Sequence, residues 1–212
     1  MPLEQTRIDR EATSEETFLQ ILDEATAVLD RLEVPYGLIG GIASAVEGRP
    51  RWTNRGEDID VFVRHKDAMR ALEALAEAGF ETEETNENWI YKGAKDGVLV
   101  DVIFRSTGDI YLDDEMAARI QAGEFRGRVV KLIPPEDVLI MKAVAHGEET
   151  PQYWHDALSV LARADIDWNY LLRRARQHGA RRVLSLLIYA QSNDLVVPPE
   201  IVAELFDMVQ PR

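Results

Sequence analysis

Cysteine is absent from the 212-residue sequence. Its absence excludes disulfides, thiolate zinc sites and cysteine nucleophiles together, and it suits a reducing compartment. Positive charge is scarce as well: 24 Lys and Arg stand against 38 Asp and Glu, a formal net charge of -14. So acidic a chain lacks the broad basic surface that nonspecific, backbone-driven DNA binding needs; a local basic site stays compatible with it. Long hydrophobic runs are missing too. No apolar stretch reaches about 18 residues, so no membrane span is expected. The charged opening MPLEQTRIDREATSEE has none of the apolar core of a secretory signal. A cytoplasmic location is the resulting expectation. What remains is ordinary globular composition, 46% hydrophobic and 29% charged, without internal repeats or low-complexity tracts. The length suits one large domain or two small ones with a real core.

Hydrophobic periodicity predicts an α+β protein: a small mixed β-sheet with flanking helices, then a C-terminal helical bundle. Thr13 and Glu16 have capping-box spacing ahead of a helix over about 14–32, with Phe18, Ile21, Leu22, Ala25, Leu29 and Leu32 on one face. Strands are expected at 36–39, 58–63, 89–92, 98–104 and 127–133, with a turn at Gly93–Gly97. Helices are expected at 42–46 and 66–78, and Pro134-Pro135 opens another to His146. Residues 114–122 read either way. From Pro151 on, only helices are expected, at about 151–163, 168–178, 180–192 and 198–209. The expected division is an α/β domain over 1–133, with a mobile tail at 1–12, and a helical domain over 134–212.

Three carboxylates stand out. Asp58 and Asp60 lie two apart on an expected strand, so their side chains leave the same face. Neighbouring carboxylates repel, and strands seldom favour Asp, which makes sense if a cation sits between them. Asp101 interrupts Val98-Leu99-Val100 and Val102-Ile103-Phe104, a run that otherwise reads as a strand buried on both faces. A lone ionised carboxylate there is costly unless paired or bound to metal. If the two strands are neighbours, all three carboxylates converge. Oxygen-only ligands favour magnesium, with manganese as the substitute, over zinc. Gly40 and Gly41 sit at a strand-to-helix junction, where backbone N–H groups and the helix N-terminus attract an anion. Ser44 and the loop residues Arg51, Thr53 and Arg55 add possible donors. Phosphate at one end and a divalent ion at the other describe a nucleoside triphosphate site.

The order strand, Gly-Gly, short helix, Asp-x-Asp, then a later Asp on a strand resembles the DNA polymerase beta-type nucleotidyltransferase superfamily. The segment GGIASAVEGRPRWTNRGEDIDVFV is similar to its small bacterial members, which include antibiotic nucleotidyltransferases and the toxins of abortive-infection and toxin–antitoxin systems. The resemblance spans roughly residues 14–165; the gap from Gly41 to Asp58 is a few residues longer than the family usually shows. It implies a magnesium-dependent enzyme that moves a nucleotidyl group from an NTP, ATP by expectation, to an acceptor hydroxyl and releases pyrophosphate. Asp58 and Asp60 would bind the ion bridging the triphosphate. Asp101 would complete a second metal site and help deprotonate the acceptor. Gly40, Gly41, Ser44, Arg55 and Lys142 would hold the nucleotide. Lys142 matches a Lys that relatives often carry on the first helix after the sheet, and Asp156 would orient it or contact the acceptor.

Competing readings stand beside these. For Asp101 the competing reading, the less favoured of the two, is a buried salt bridge with an Arg such as Arg64 or Arg105. His146 suits a helix C-terminus, and His155 a helix surface. The Arg173, Arg174, Arg176, Arg181 and Arg182 cluster reads as solvated helix-end charge, and Trp52, Trp89, Trp154 and Trp168 read as packing residues. An inactive nucleotide-binding regulator and a toxin-type enzyme acting on tRNA or protein are the alternative functions. The acceptor, whether small molecule, tRNA or protein, is not named by the sequence, although net negative charge disfavours a long polyanion.

Overall fold

The computed structural model describes residues 13–47, 58–148 and 150–210. The tail expected over residues 1–12 and the loop residues Arg51, Trp52, Thr53 and Arg55 lie outside the described residues. The chain forms two compact units. Of the described residues, the first holds 13–42, 58–105 and 111–133, and the second holds 43–47, 106–110, 134–148 and 150–210.

The first unit is built on a seven-stranded mixed sheet in the order β3-β4-β5-β2-β1-β7-β6. Its strands are β1 (Tyr36–Leu38), β2 (Ile59–Val63), β3 (Glu81–Asn86), β4 (Ile90–Lys95), β5 (Val98–Ile103), β6 (Gln121–Phe125) and β7 (Arg128–Leu132). β2 runs parallel to β5 and antiparallel to β1, and β1 runs parallel to β7. Helices α1 (Glu15–Arg31) and α3 (His65–Glu77) pack on each other and against the sheet. α1 buries Phe18, Leu19, Ile21, Leu22, Ala25, Val28 and Leu29, the stripe its 3.6-residue period predicts. The face that α3 covers is marked by Gly93, where an added Cβ would lie 3.6 Å from Leu75 Cδ1.

Several expectations need correction. Ser14, not Thr13, caps α1: its hydroxyl accepts the Thr17 N–H at 3.1 Å. β3 and β6 were not foreseen. Their sequences, ETEETN and QAGEF, lack apolar alternation, and among the described residues they are the two outermost strands of the sheet, each paired along one edge. The ambiguous stretch divides into α4 (Asp114–Ala118), capped by Asp113, and then β6. The turn placed at Gly93–Gly97 is shorter. β4 continues through Gly93 to Lys95, and only Asp96 (φ 49°) and Gly97 (φ 76°) turn. Positive φ at both central residues is the hairpin geometry that matches strand twist.

Helix α2 (Gly40–Glu47) starts two residues earlier than expected and passes from the first unit into the second. Apart from residues 106–110, a turn closed by a bridge between Ser106 and Ile110, the elements of the second unit are helices: α5 (Pro135–Ala145), α6 (Gln152–Leu161), α7 (Trp168–His178), α8 (Ala180–Gln191) and α9 (Pro199–Val209). α5 is its centre. Every residue from Pro135 to Ala143 is buried, and α6, α7 and α8 pack on it. Its buried polar residues therefore need partners. Asp137 accepts from Arg174 Nε at 2.7 Å and from the Tyr170 hydroxyl at 2.6 Å. Arg174 is thus a fully enclosed ion-pair partner, not one of the solvated helix-end charges expected of its cluster. Of the others, Arg176 lies 3.8 Å from Glu204, and Arg181 donates to the Val209 carbonyl. His146 caps α5 and stacks on Trp154, with ring centroids 4.6 Å apart. Among the described residues no helix is long and apolar enough to cross a membrane.

Glu136, also buried, accepts the Asp167 N–H at 2.7 Å. Burial raises its carboxyl above the usual range, against the lowering by backbone hydrogen bonds. A raised folded-state pKa gives stability that is fully present below the unfolded value and lost as pH rises through the folded one. Glu136→Gln keeps an oxygen acceptor and removes that loss. The expected result is a variant whose stability relative to wild type climbs as pH rises above the ordinary glutamate range of about 4, read by denaturant midpoints. A pH-independent difference would contradict it.

Candidate active site

Asp60 lies on β2 and Asp101 on β5, and the parallel register pairs them directly. Register partners on adjacent strands share a face, so the two carboxylates stand side by side. Both lie on the face opposite α3, because Gly93 pairs with Val100 and faces that helix, one residue out of phase with Asp101. Asp58 precedes β2 by one residue and shares the parity of Asp60; both are half-buried. One register therefore sets Asp60 and Asp101 side by side on one face of the sheet, and Asp58 adjoins the start of β2.

The row extends one strand further. Lys92 on β4 pairs with Asp101 in the antiparallel register, and its Nζ donates to both carboxylate oxygens, at 2.7 Å and 3.0 Å. Both side chains are about nine-tenths enclosed, at 11% and 10% exposure. The partner of Asp101 is thus Lys92, neither Arg64 nor Arg105; Arg64 pairs with Asp114 at 2.6 Å. Ala94 and Leu99, two residues along each strand from the pair, form a small apolar cluster beside it. Among the described residues, no group of three or more His, Cys, Asp or Glu gathers closely enough to cage a metal.

Lys92 was missed by the sequence reading, yet a signal was present. A two-residue Asp96-Gly97 turn sets Lys95 opposite Val98, and counting back from it places Lys92 opposite Asp101. Placing the turn too broadly hid this.

The glycine pair divides into two different positions. Gly40 has φ +63°, and a Cβ there would overlap Asp60 Oδ2 and lie 2.7 Å from its Cγ. The Ile39 N–H also donates to the Asp60 carbonyl at 2.9 Å. Gly40 is therefore the residue that lets the start of α2 close over Asp60. A Cβ on Gly41, in contrast, would meet nothing within 4 Å. Gly40→Ala combines a left-handed φ with a steric overlap, and is expected to cost about 1 kcal/mol or more and to displace the Asp60 carboxylate. Gly41→Ala should leave stability within about 0.5 kcal/mol. Thermal midpoints of the two variants check this, and equal losses would be inconsistent with the geometry.

The remaining expected site residues are placed as follows. Ser44 is buried one turn into α2. Arg55 lies outside the described residues. Lys142 belongs to the second unit, where it donates to Asp156 Oδ2 at 3.2 Å and stands 4.6 Å over the Tyr153 ring. His155 is exposed.

The model of a family described as uncharacterised nucleotidyltransferase matches residues 5–193. Among solved structures, the chain is similar to ANT(2″)-Ia in complex with adenylyl-2″-tobramycin, at 16% identity and a TM-score of 0.53, over 84% of this chain and 99% of that one. It is equally similar to an antigenic nucleotidyltransferase-like protein from Paracoccidioides brasiliensis, at 16% identity and a TM-score of 0.53, over 91% and 94% of the two chains. No curated protein matches the chain in sequence. The two structural likenesses show a shared fold.

Proposed function

Because the chain belongs to this nucleotidyltransferase family, we propose that it transfers a nucleoside monophosphate from an NTP, ATP by expectation, to the hydroxyl of a small-molecule acceptor. The observation that carries the reading is the register that sets Asp60 beside Asp101 on one face, with the start of α2 closed over Asp60. In the reaction the acceptor oxygen attacks the α-phosphorus, the bond to the β-phosphate oxygen breaks, and pyrophosphate leaves.

Asp58 and Asp60 supply hard oxygen ligands at same-face spacing, which fits magnesium or manganese. When bound there, the ion supplies charge that stabilises the phosphate oxygens in the transition state. The chain's own groups do the rest. The first N–H groups of α2 would face the triphosphate oxygens, as helix N-termini do, and Gly41 among them is exposed. Asp101 takes the proton of the acceptor hydroxyl. Catalysis of this kind asks for positioning and charge more than for covalent chemistry.

A small acceptor is preferred over tRNA for two reasons. The net charge of -14 repels a polyanion. A protein of the same fold holds an adenylylated aminoglycoside. The test is incubation with labelled NTPs, magnesium and an acceptor panel of aminoglycoside, lincosamide and tRNA, following label transfer and pyrophosphate. Label on a small acceptor with matching pyrophosphate is the expected result. Saturable NTP binding without pyrophosphate release across the panel would favour a regulatory binder instead, and label on tRNA would favour the toxin-type reading.

A further inference from the structure

The donor set beside Asp58 and Asp60 fits one divalent ion, but Asp101 does not fit a second. Both of its oxygens are already engaged by the Lys92 ammonium, at 2.7 Å and 3.0 Å, within a pair about nine-tenths enclosed. A magnesium ion demands near-ideal octahedral oxygens at about 2.0–2.1 Å, and a divalent charge would have to sit against the fixed ammonium. Lys92 has little freedom to leave. It projects from the strand directly paired with β5, in register with Asp101, and Ala94 and Leu99 close the ground beside it. Displacing the ammonium would strand a buried carboxylate.

We infer that Lys92 occupies the cation position beside Asp101, so that the site takes one divalent ion where a two-metal arrangement takes two. Lys92 is then a positioning residue built into the sheet. It fixes the orientation of the Asp101 carboxylate, and it offsets the repulsion between Asp101 and Asp60, which face each other across β5 and β2. Its charge also supplies at all times the positive potential near the reacting oxygens that a second ion would supply only when bound. This inference rests on the nucleotidyl-transfer reading above and refines its metal requirement.

Counting manganese tests it. The full chain, saturated with a nonhydrolysable α,β-methylene NTP analogue, is titrated with Mn2+, and bound ion per chain is read by electron paramagnetic resonance and equilibrium dialysis. One Mn2+ per chain is expected. Two per chain would overturn the inference while leaving the transfer reading standing. No Mn2+ bound with the analogue would instead remove the metal site on which both depend. The variant Lys92→Gln keeps a donor to Asp101 and removes the charge, and is expected to raise the count from one to two. A count that stays at one in folded Lys92→Gln would mean that Lys92 is not what keeps the second ion out. Lys92→Arg, which keeps the charge, should stay at one. A counter-ion with a purely structural role would move none of these counts. If Lys92→Gln fails to fold, the wild-type count decides alone.

Discussion

Asp60→Asn is expected to lower nucleotidyl transfer about a thousandfold with the fold intact. Losing a proposed ligand to the metal would forfeit several kcal/mol of transition-state charge stabilisation, and about 4 kcal/mol corresponds to that factor. The fold should survive because Asn is nearly isosteric with Asp, Asp60 is only half-buried, and one of two facing carboxylates is neutralised. Asp60→Glu is expected not to rescue the rate. The start of α2 already closes so tightly over Asp60 that even a Cβ at Gly40 overlaps its Oδ2, which leaves no room for a further methylene. Single-turnover rates with labelled NTP, alongside thermal midpoints, separate the two effects. A wild-type rate in Asp60→Asn would remove the proposed metal role, whatever the family.

The second large effect is on stability. Arg174→Met is expected to destabilise the protein by about 3–5 kcal/mol, the range for breaking a buried ion pair from one side. The Arg174 and Asp137 side chains are 2% and 1% exposed. The substitution removes the Arg174 Nε donor from the Asp137 carboxylate in the core of the helical unit, while the Tyr170 hydroxyl still donates to it. Removing both charges in Asp137→Asn/Arg174→Met should cost less than Arg174→Met alone, because no uncompensated ion is then left inside. Denaturant unfolding of the three variants gives the coupling directly. Additive losses would mean that the pair is not the unit of stabilisation. Lys142, held by Asp156 near the other end of the same helix, is a separate pair and should be unaffected.

The residues of the candidate site stood out in the sequence because the signals that mark them are local. Asp-x-Asp on a strand fixes a common face by parity, a charged residue inside VLVDVIF is anomalous whatever surrounds it, and Gly-Gly at a strand end marks a backbone need. The helices of the second unit were legible for the same reason, since their apolar stripes repeat at 3.6 residues. β3 and β6 were not, because ETEETN and QAGEF carry no such stripe. They are strands by virtue of hydrogen bonding to β4 and β7, and that stabilisation lies in the partner. The pairing of Lys92 with Asp101 falls between these cases. The short Asp96-Gly97 turn encodes it, but only to a reader who places the turn correctly.

The residue types and their local spacing determined that this chain carries a pair of carboxylates two apart at a strand and a glycine pair at a strand-to-helix junction, and that its second half is helical. Tertiary structure alone decided that Asp60 stands next to Asp101, that Arg174 is buried against Asp137, and that only Gly40 of the two glycines closes over a carboxylate. The reason is physical. Parity and periodicity act between near neighbours, whereas a parallel register or an enclosed ion pair joins segments whose separation is bridged only when the whole core condenses.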